Sequence, residues 1–476
     1  MNLYKLHRKL SLIALFPLLA WTLSGVMHPL MSNLKPKVNQ RLIANQNIKN
    51  TDETILSVAE IMALNNWTTI QSYRFINYDS SLYYQFKIAE KNCYINAITG
   101  KILRDGDIQY ATYLAGLYSN EVASKIEGIT IQENFSNEYV KIARILPVYK
   151  IQYKRMDGLR VFIDVNSDRM TYATNSIRSF FQAFFLWAHS WTFLGFNQTF
   201  RLMILGFFVL ITFLAGVTGI LVYTKFRKTY QHQNIERIPW QRRMHRILGI
   251  GLSFTLLLFA TSAFMHMLPK YTALDKASFV SRTSFSIDEM TFNTHFIEEN
   301  WVNHQPVKIE GKVYCQFHFK QGRGIIKKYF DVFSGKELID GDSIYAVNLA
   351  KQYSGLLTVK SISEIKKFEN EYGFINKLLP VQKVQFSGVG NPRWYIDTSS
   401  SFVGAIIEDK SALSGFIFAY FHKYHVLDFL GKGLRDTILI LFALGNFIVS
   451  LLGFWMYINT KKVVKKQKQK RQELVY

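Results

Sequence analysis

The sequence predicts a membrane α-helical fold class: a four-helix transmembrane bundle with two α+β domains outside the membrane, built as a tandem internal duplication. Three observations predict it. Four apolar runs, each long enough to cross a bilayer as a helix, carry no formal charge. Three basic clusters lie against the ends of those runs. Short motifs of the first half return in the second at a nearly constant offset, close to half the chain length.

The apolar runs are Leu10–Met27, Leu202–Tyr223, Ile247–Leu268 and Thr437–Ile458. With their flanks they predict helices over 1–30, 201–225, 245–268 and 435–460. The first has the basic start and apolar middle of a leader peptide. No small-residue cleavage site follows Gly25, and its counterpart at 245–266 is internal, so the helix is expected to be retained. Polar, mixed stretches at 31–178 and 269–413 are each long enough for a folded domain. Aromatic segments at 179–200 and 414–434 lead into the second and fourth helices. The first is nearly long enough for a fifth span, but its counterpart is shorter and carries Lys423 and Asp428, so both are expected to lie at the interface.

The net charge is +23 in 476 residues. Lys5, Arg8 and Lys9 precede the first run. Lys225, Arg227, Lys228, Arg237, Arg242, Arg243 and Arg246 lie in or beside the loop 226–244, and seven more basic residues fill the tail 461–476. The positive-inside rule puts these clusters, and both termini, in the cytoplasm, with 31–178 and 269–413 outside. Topology accounts for the charge, so no nucleic-acid partner is expected. Cys93 and Cys315 fall at non-matching places and imply no disulfide framework. No C-x-x-C-H, nucleotide-binding loop, G-x-S-x-G or H-E-x-x-H is present. The two "DGD" copies, at 105–107 and 340–342, are expected to make turns.

The repeat runs the length of the chain. "LHRKLSLI" at 6–13 matches "MHRILGIG" at 244–251, and "SGVMHPL" at 24–30 matches "SAFMHML" at 262–268. "TGKILRDGDIQYATYLAGLYS" at 99–119 matches "SGKELIDGDSIYAVNLAKQYS" at 334–354, and "LPVYKIQY" at 146–153 matches "LPVQKVQF" at 379–386. "HSWTFLG" at 189–195 is matched with "HVLDFLG" at 425–431. Within the first domain, 53–66 has helical spacing, while "SLYYQFKI" and "CYINAITGKIL" read as strands turning at Thr99-Gly100. A helix followed by a hairpin with a T/S-G-K turn resembles the PepSY domain. The whole arrangement, with its "LHR" start, resembles the PepSY-associated transmembrane family of bacterial membrane proteins. That resemblance implies two PepSY-like periplasmic domains on a multi-pass protein of the bacterial inner (cytoplasmic) membrane. Some members of the family are haem-containing reductases that release iron from ferric siderophores.

Six of the eleven histidines occupy matched positions: His7 with His245, His28 with His266, and His189 with His425. His7 and His28 are separated by the same number of residues as His245 and His266. At about 1.5 Å per residue, that separation of about 21 residues is roughly 31 Å, one hydrocarbon thickness. Polar groups at that depth are costly and tend to be functional. The six are therefore expected to ligate b-type haem iron. His7 and His245 would share one haem at the cytoplasmic face. The other four would hold one haem, or two as His28 with His189 and His266 with His425, giving two or three in all. His422, three residues before His425, is expected to be exposed. Ser24, Gly25, Ser262, Ala263, Gly249 and Gly251 leave room for a macrocycle or for close helix packing.

These expectations describe a membrane reductase that carries electrons to a periplasmic ferric chelate. Its partners would be the lipid bilayer, the chelate, and a quinol or cytoplasmic reductase as donor. The catalytic residues are not legible in the sequence. The rival reading is a non-enzymatic module in which the PepSY domains bind a peptidase or a chelate and the helices only anchor them.

Overall fold

The structure is a computed structural model describing residues 2–39, 55–141, 145–195, 197–231, 238–268, 283–290, 301–321, 324–373 and 378–473. His232 and His295 lie outside the described residues, as does the middle of the loop expected over 226–244. The helices in chain order are α1 (Leu3–Asn33), α2 (Val58–Leu64), α3 (Gly106–Ser119), α4 (Ser176–Ser190), α5 (Gln198–Gln231), α6 (Trp240–Met267), α7 (Gly341–Ser354), α8 (Asp409–Ile417) and α9 (Lys432–Glu473). The chain forms two compact units. A helical unit comprises Met1–Lys35, Ile177–Leu274 and Lys410–Tyr476, and a sheet unit comprises Pro36–Ser176 and Asp275–Asp409.

In the helical unit, α1, α5, α6 and α9 are long and apolar enough to cross a membrane. Each extends past its uncharged run. The shortest has 28 residues, roughly 42 Å against a hydrocarbon core of about 30 Å, so its charged end turns can lie in the polar headgroup layers. The helices close into a ring in which α1 and α6 each pack against both α5 and α9. Glycines set the closest approaches. A Cβ on Gly445 of α9 would stand 2.5 Å from Leu252 Cδ1 of α6, and one on Gly216 of α5 would stand 3.1 Å from Leu257 Cδ2. Midway along the bundle, Asn446 Nδ2 donates to Thr255 Oγ1 at 3.1 Å, satisfying a buried amide between α9 and α6.

The sheet unit contains two pairs of four-stranded meanders. Strands 72–78, 81–88, 91–96 and 102–103 form one antiparallel meander, and 126–132, 148–153, 160–164 and 169–174 form a second. Helix α3 joins them in one core, where Tyr110, Leu114 and Tyr118 meet Ile76, Tyr94, Ile151, Val161 and Ile163. In the second half, strands 301–309, 312–321, 324–331 and 337–338, then 359–365, 381–386, 393–397 and 402–407, repeat the pattern around α7. A further core joins the first meander of each half, with Tyr73, Phe75 and Phe86 against Cys315, Phe317 and Phe319. The strand expected at "SLYYQFKI" spans Ser81–Ile88, and the turn after the next strand carries Gly100 at φ +68°. The helix expected over 53–66 is shorter. Ser57 and Glu60 form a capping box that fixes its start at Val58, and it ends at Leu64.

The "DGD" copies open helices rather than forming simple turns. Asp105 and Asp340 take the left-handed conformation, and α3 and α7 begin at the next residue. Asp107 then accepts from Tyr94 Oη at 2.7 Å and Asp342 from Tyr329 Oη at 2.8 Å. The central glycine lies against the same ring. A Cβ on Gly106 would stand 2.3 Å from Tyr94 Cδ2, and one on Gly341 would stand 2.6 Å from Tyr329 Cδ2. Both tyrosines are fully buried, so the ring cannot yield cheaply. Gly341→Ala is expected to lower unfolding stability by about 1–3 kcal/mol through overpacking. Gly128→Ala, with nothing within 4 Å of the new atom, should stay within about 0.5 kcal/mol. Urea titration of the full chain in detergent, read by circular dichroism, tests the contrast.

Candidate functional site

The helical unit places imidazoles at two levels of the bundle. At one end, His7 Nδ1 lies 3.1 Å from the carbonyl oxygen of Ala215 and 3.3 Å from Thr218 Oγ1, both on α5. His245 Nδ1 lies 3.0 Å from the carbonyl oxygen of Val449 on α9. A carbonyl only accepts, so both rings carry their proton on Nδ1, and Nε2 keeps its lone pair. A glycine one turn further along backs each ring: a Cβ on Gly219 or on Gly453 would stand 3.1 Å from Cε1 of His7 or His245. The two imidazoles also lie within electrostatic reach of each other. Bonding Nδ1 to a carbonyl fixes the ring orientation and raises ligand basicity, as in histidines that bind metals.

At the other end the sequence expectation needs correction. His189 Nδ1 lies 3.0 Å from Ser24 Oγ, and the ring that repeats this contact belongs to His422, not His425. His422 Nδ1 lies 3.1 Å from Ser262 Oγ. Phe185 stacks on His189 at 4.6 Å, and Phe418 stacks on His422 at 4.8 Å. Each histidine is followed two residues later by an aromatic residue in the left-handed conformation, Trp191 or Tyr424, both at φ +51°. His425 pairs instead with Asp428, Nδ1 to Oδ2 at 2.7 Å, and lies 3.1 Å from Arg435 Nη1. His422 is half-buried rather than exposed.

The cause is a three-residue difference in length. Between the left-handed residue and the glycine that precedes the long helix, the first half has a short 3₁₀ turn, Thr192–Leu194, and the second has His425–Leu430. Matching on the shared Phe-Leu-Gly therefore set His189 against a residue of the longer turn. Phe418–His422 is itself one turn of π-helix, an irregularity frequent at functional sites.

The serines anchor the rings here. Ser24 Oγ already donates to the Ala20 carbonyl at 2.6 Å, and Ser262 Oγ to that of Phe259 at 2.9 Å. With the hydroxyl proton on the carbonyl, each serine oxygen accepts from Nδ1–H of its histidine. Both serines are completely buried. Ser24 follows His7 at the same spacing as Ser262 follows His245. That spacing of about 17 residues puts the two levels about 26 Å apart along the bundle.

The centroids of His189 and His422 are 6.3 Å apart, with the rings perpendicular. With metal–nitrogen bonds of about 2 Å, two imidazoles holding one iron from opposite sides would have centroids about 6 Å apart. His28 and His266 stand behind the stacked phenylalanines. His28 is 5.8 Å from Phe185, and His266 is 4.1 Å from Phe418. A phenyl ring thus separates His28 from His189 and His266 from His422. His425, the expected partner of His266, has its Nδ1 on Asp428 and beside Arg435. Among the described residues, the buried Trp191 Nε1 and Tyr424 Oη, at counterpart positions, have no hydrogen-bond partner. Bulky residues held in the left-handed region with unsatisfied polar tips are uncommon and mark functional sites.

The residues present fit a planar iron macrocycle at each level, with one imidazole from each half. Among the described residues, no group of three or more His, Cys, Asp or Glu side chains could hold a bare metal ion. The family model for the PepSY-associated TM region matches residues 4–460. The chain belongs to that family. Four apolar helices together with this membership make it a membrane protein. No curated protein matches it.

Proposed function

We propose that this PepSY-associated TM protein is a b-type haem reductase that moves electrons across the membrane to a ferric chelate. The carrying observation is the pairing of four imidazoles, His7 with His245 and His189 with His422. All four are anchored through Nδ1, on Ala215, Val449, Ser24 and Ser262. Each pair would hold one haem, two in all, and the halves would derive from a tandem duplication with PepSY-like domains in the periplasm. The basic clusters favour a bacterial inner-membrane protein with both termini cytoplasmic, which puts the His7 level inside and the His189 level outside.

When bound, the haem irons supply one-electron chemistry at each membrane face. The chain's own part is positional. Ala215, Val449, Ser24 and Ser262 aim the imidazoles, and Phe185 and Phe418 wall the outer pair from His28 and His266. One electron converts ferric to ferrous iron in the chelate. Hard oxygen donors hold the ferrous ion less tightly, so iron leaves with the carrier intact. A quinol or a cytoplasmic reductase would be the donor.

Purification after growth with ample iron and haem precursor is expected to give a Soret band and two haems per chain. Dithionite-reduced protein mixed with ferric chelate and a ferrous trap should reoxidise as trapped ferrous iron accumulates. Protein without a Soret band would instead be a membrane-anchored binding module. Haem that reoxidises with quinone but with no ferric chelate would make it a quinone-linked carrier.

A further inference from the structure

The outer histidines are ringed by cations. Lys35 is within electrostatic reach of Arg178 and Lys432, and Lys423 is within reach of Arg435. Lys423 and Lys432 both act on His28. Among the described residues, two carboxylates stand by Lys432 and Arg435. Asp436 pairs with Lys432 at 2.5 Å and with Arg435 at 3.3 Å, and Asp428 pairs with Arg435 and His425. Among the described residues, Lys35 and Lys423 make no ion pair. Lys423 is half-buried, with Nζ 5.4 Å above the Phe418 ring that separates His266 from His422. Among the described residues, Lys423, Lys432 and Arg435 share Asp428 and Asp436, and half-buried Lys423 forms no ion pair with either, which favours an added anion.

We infer that this cationic collar binds the carboxylate or catecholate oxygens of a negatively charged ferric chelate, so that anionic chelates of the ferric-citrate class are the preferred acceptor. As an anion site the collar stands alone; as an acceptor site it rests on the reductase reading. Haem propionates and lipid phosphates offer related oxygens, so the test must separate three sources.

Gallium(III) citrate is the probe, because gallium is not reduced and its binding needs no haem. Equilibrium dialysis against the full chain in uncharged detergent is expected to show saturable binding that weakens as salt is raised from about 0.05 to about 0.5 M. The Lys35→Ala/Lys423→Ala variant should bind about tenfold more weakly. Its Soret band and its rate with an uncharged ferric hydroxamate should be unchanged, and Lys423→Arg should keep most of the affinity. The inference is overturned if gallium citrate does not bind or binds the double variant equally well. It is also overturned if the double variant loses haem together with both reductions, which would assign the lysines to propionates. Gallium binding that appears only after anionic phospholipid is stripped would assign them to headgroups and overturn it likewise. Gallium citrate binding to haem-free protein would keep the collar and sink the reductase; ferric reduction without gallium binding would do the reverse.

Discussion

His422→Ala is expected to remove the outer haem, while His425→Ala leaves it in place. The two residues are three apart, and the repeated sequence motif points to His425. His422, with Nδ1 on Ser262, has the stacked phenylalanine and the 6.3 Å approach to His189. If His189 and His422 hold a haem, losing either ring would remove half of its bonds to the protein, so haem content should fall from two per chain towards one. His189→Ala should match His422→Ala, and His7→Ala or His245→Ala should empty the other level. Ser262→Ala is milder. It removes the acceptor that holds the ring, and such partners typically alter metal affinity about 10–100-fold. Pyridine haemochrome content with low-temperature spectra of each variant measures this. If His425→Ala loses haem and His422→Ala keeps it, the cross-half pairing is wrong.

Much of the helical unit was legible because lipid forces a simple code. Long uncharged runs have few alternatives to a spanning helix, and histidines repeated at one spacing mark both of its ends. The hairpin at Ser81–Ile88 was legible from alternation, and its later turn from Gly100. What escaped depends on local length and on three-dimensional pairing. The three additional residues after Tyr424 shift His425 out of register, and nothing in a short motif reveals on which side of a histidine an insertion falls. A longer comparison carried a signal: "FFLWAHSW" and "FIFAYFHKY" align the phenylalanine four residues before each histidine, which selects His422. The role of Ser24 and Ser262 was hidden differently. A small residue in a membrane helix usually serves packing, and only the hydrogen-bond partner distinguishes an anchor from a spacer. The "DGD" copies suggested turns because the tyrosine that each clasps lies upstream, in strand 91–96 or strand 324–331.

Acidification from pH 8 to pH 5 is expected to open the core of the sheet unit, and His304→Gln or His318→Gln to remove part of that effect. Both histidines are buried, at 4% and 8% exposure. His304 sits among Phe75, Trp301 and Phe317, with Nδ1 2.9 Å from Tyr73 Oη and 3.7 Å from Cys315 Sγ. His318 Nε2 donates to Gln316 Oε1 at 2.8 Å, with Lys327, Arg74 and Asp342 nearby. Burial holds both imidazoles down to about 3, helped at His304 by His318 and at His318 by Lys327. The unfolded chain takes up these protons below its ordinary value of 6.5, and the folded chain does not until about pH 3. Stability is therefore complete above pH 6.5 and declines as pH falls through the window below it. Each histidine removes about 2 kcal/mol at pH 5, equivalent to a roughly thirtyfold rise in the open population. Asp342 and Glu371 are shifted below their ordinary values of 3.8 and 4.5, so their contributions fall away at lower pH. Cys315 reports the opening directly, being 1% exposed and in contact with His304. In a Cys93→Ser background, its modification by an acid-tolerant disulfide reagent should accelerate steeply between pH 7 and 5, and less steeply in either glutamine variant. A labelling rate that stays flat across this window, or equal steepness in all three proteins, would show that the buried imidazoles do not control opening of this core.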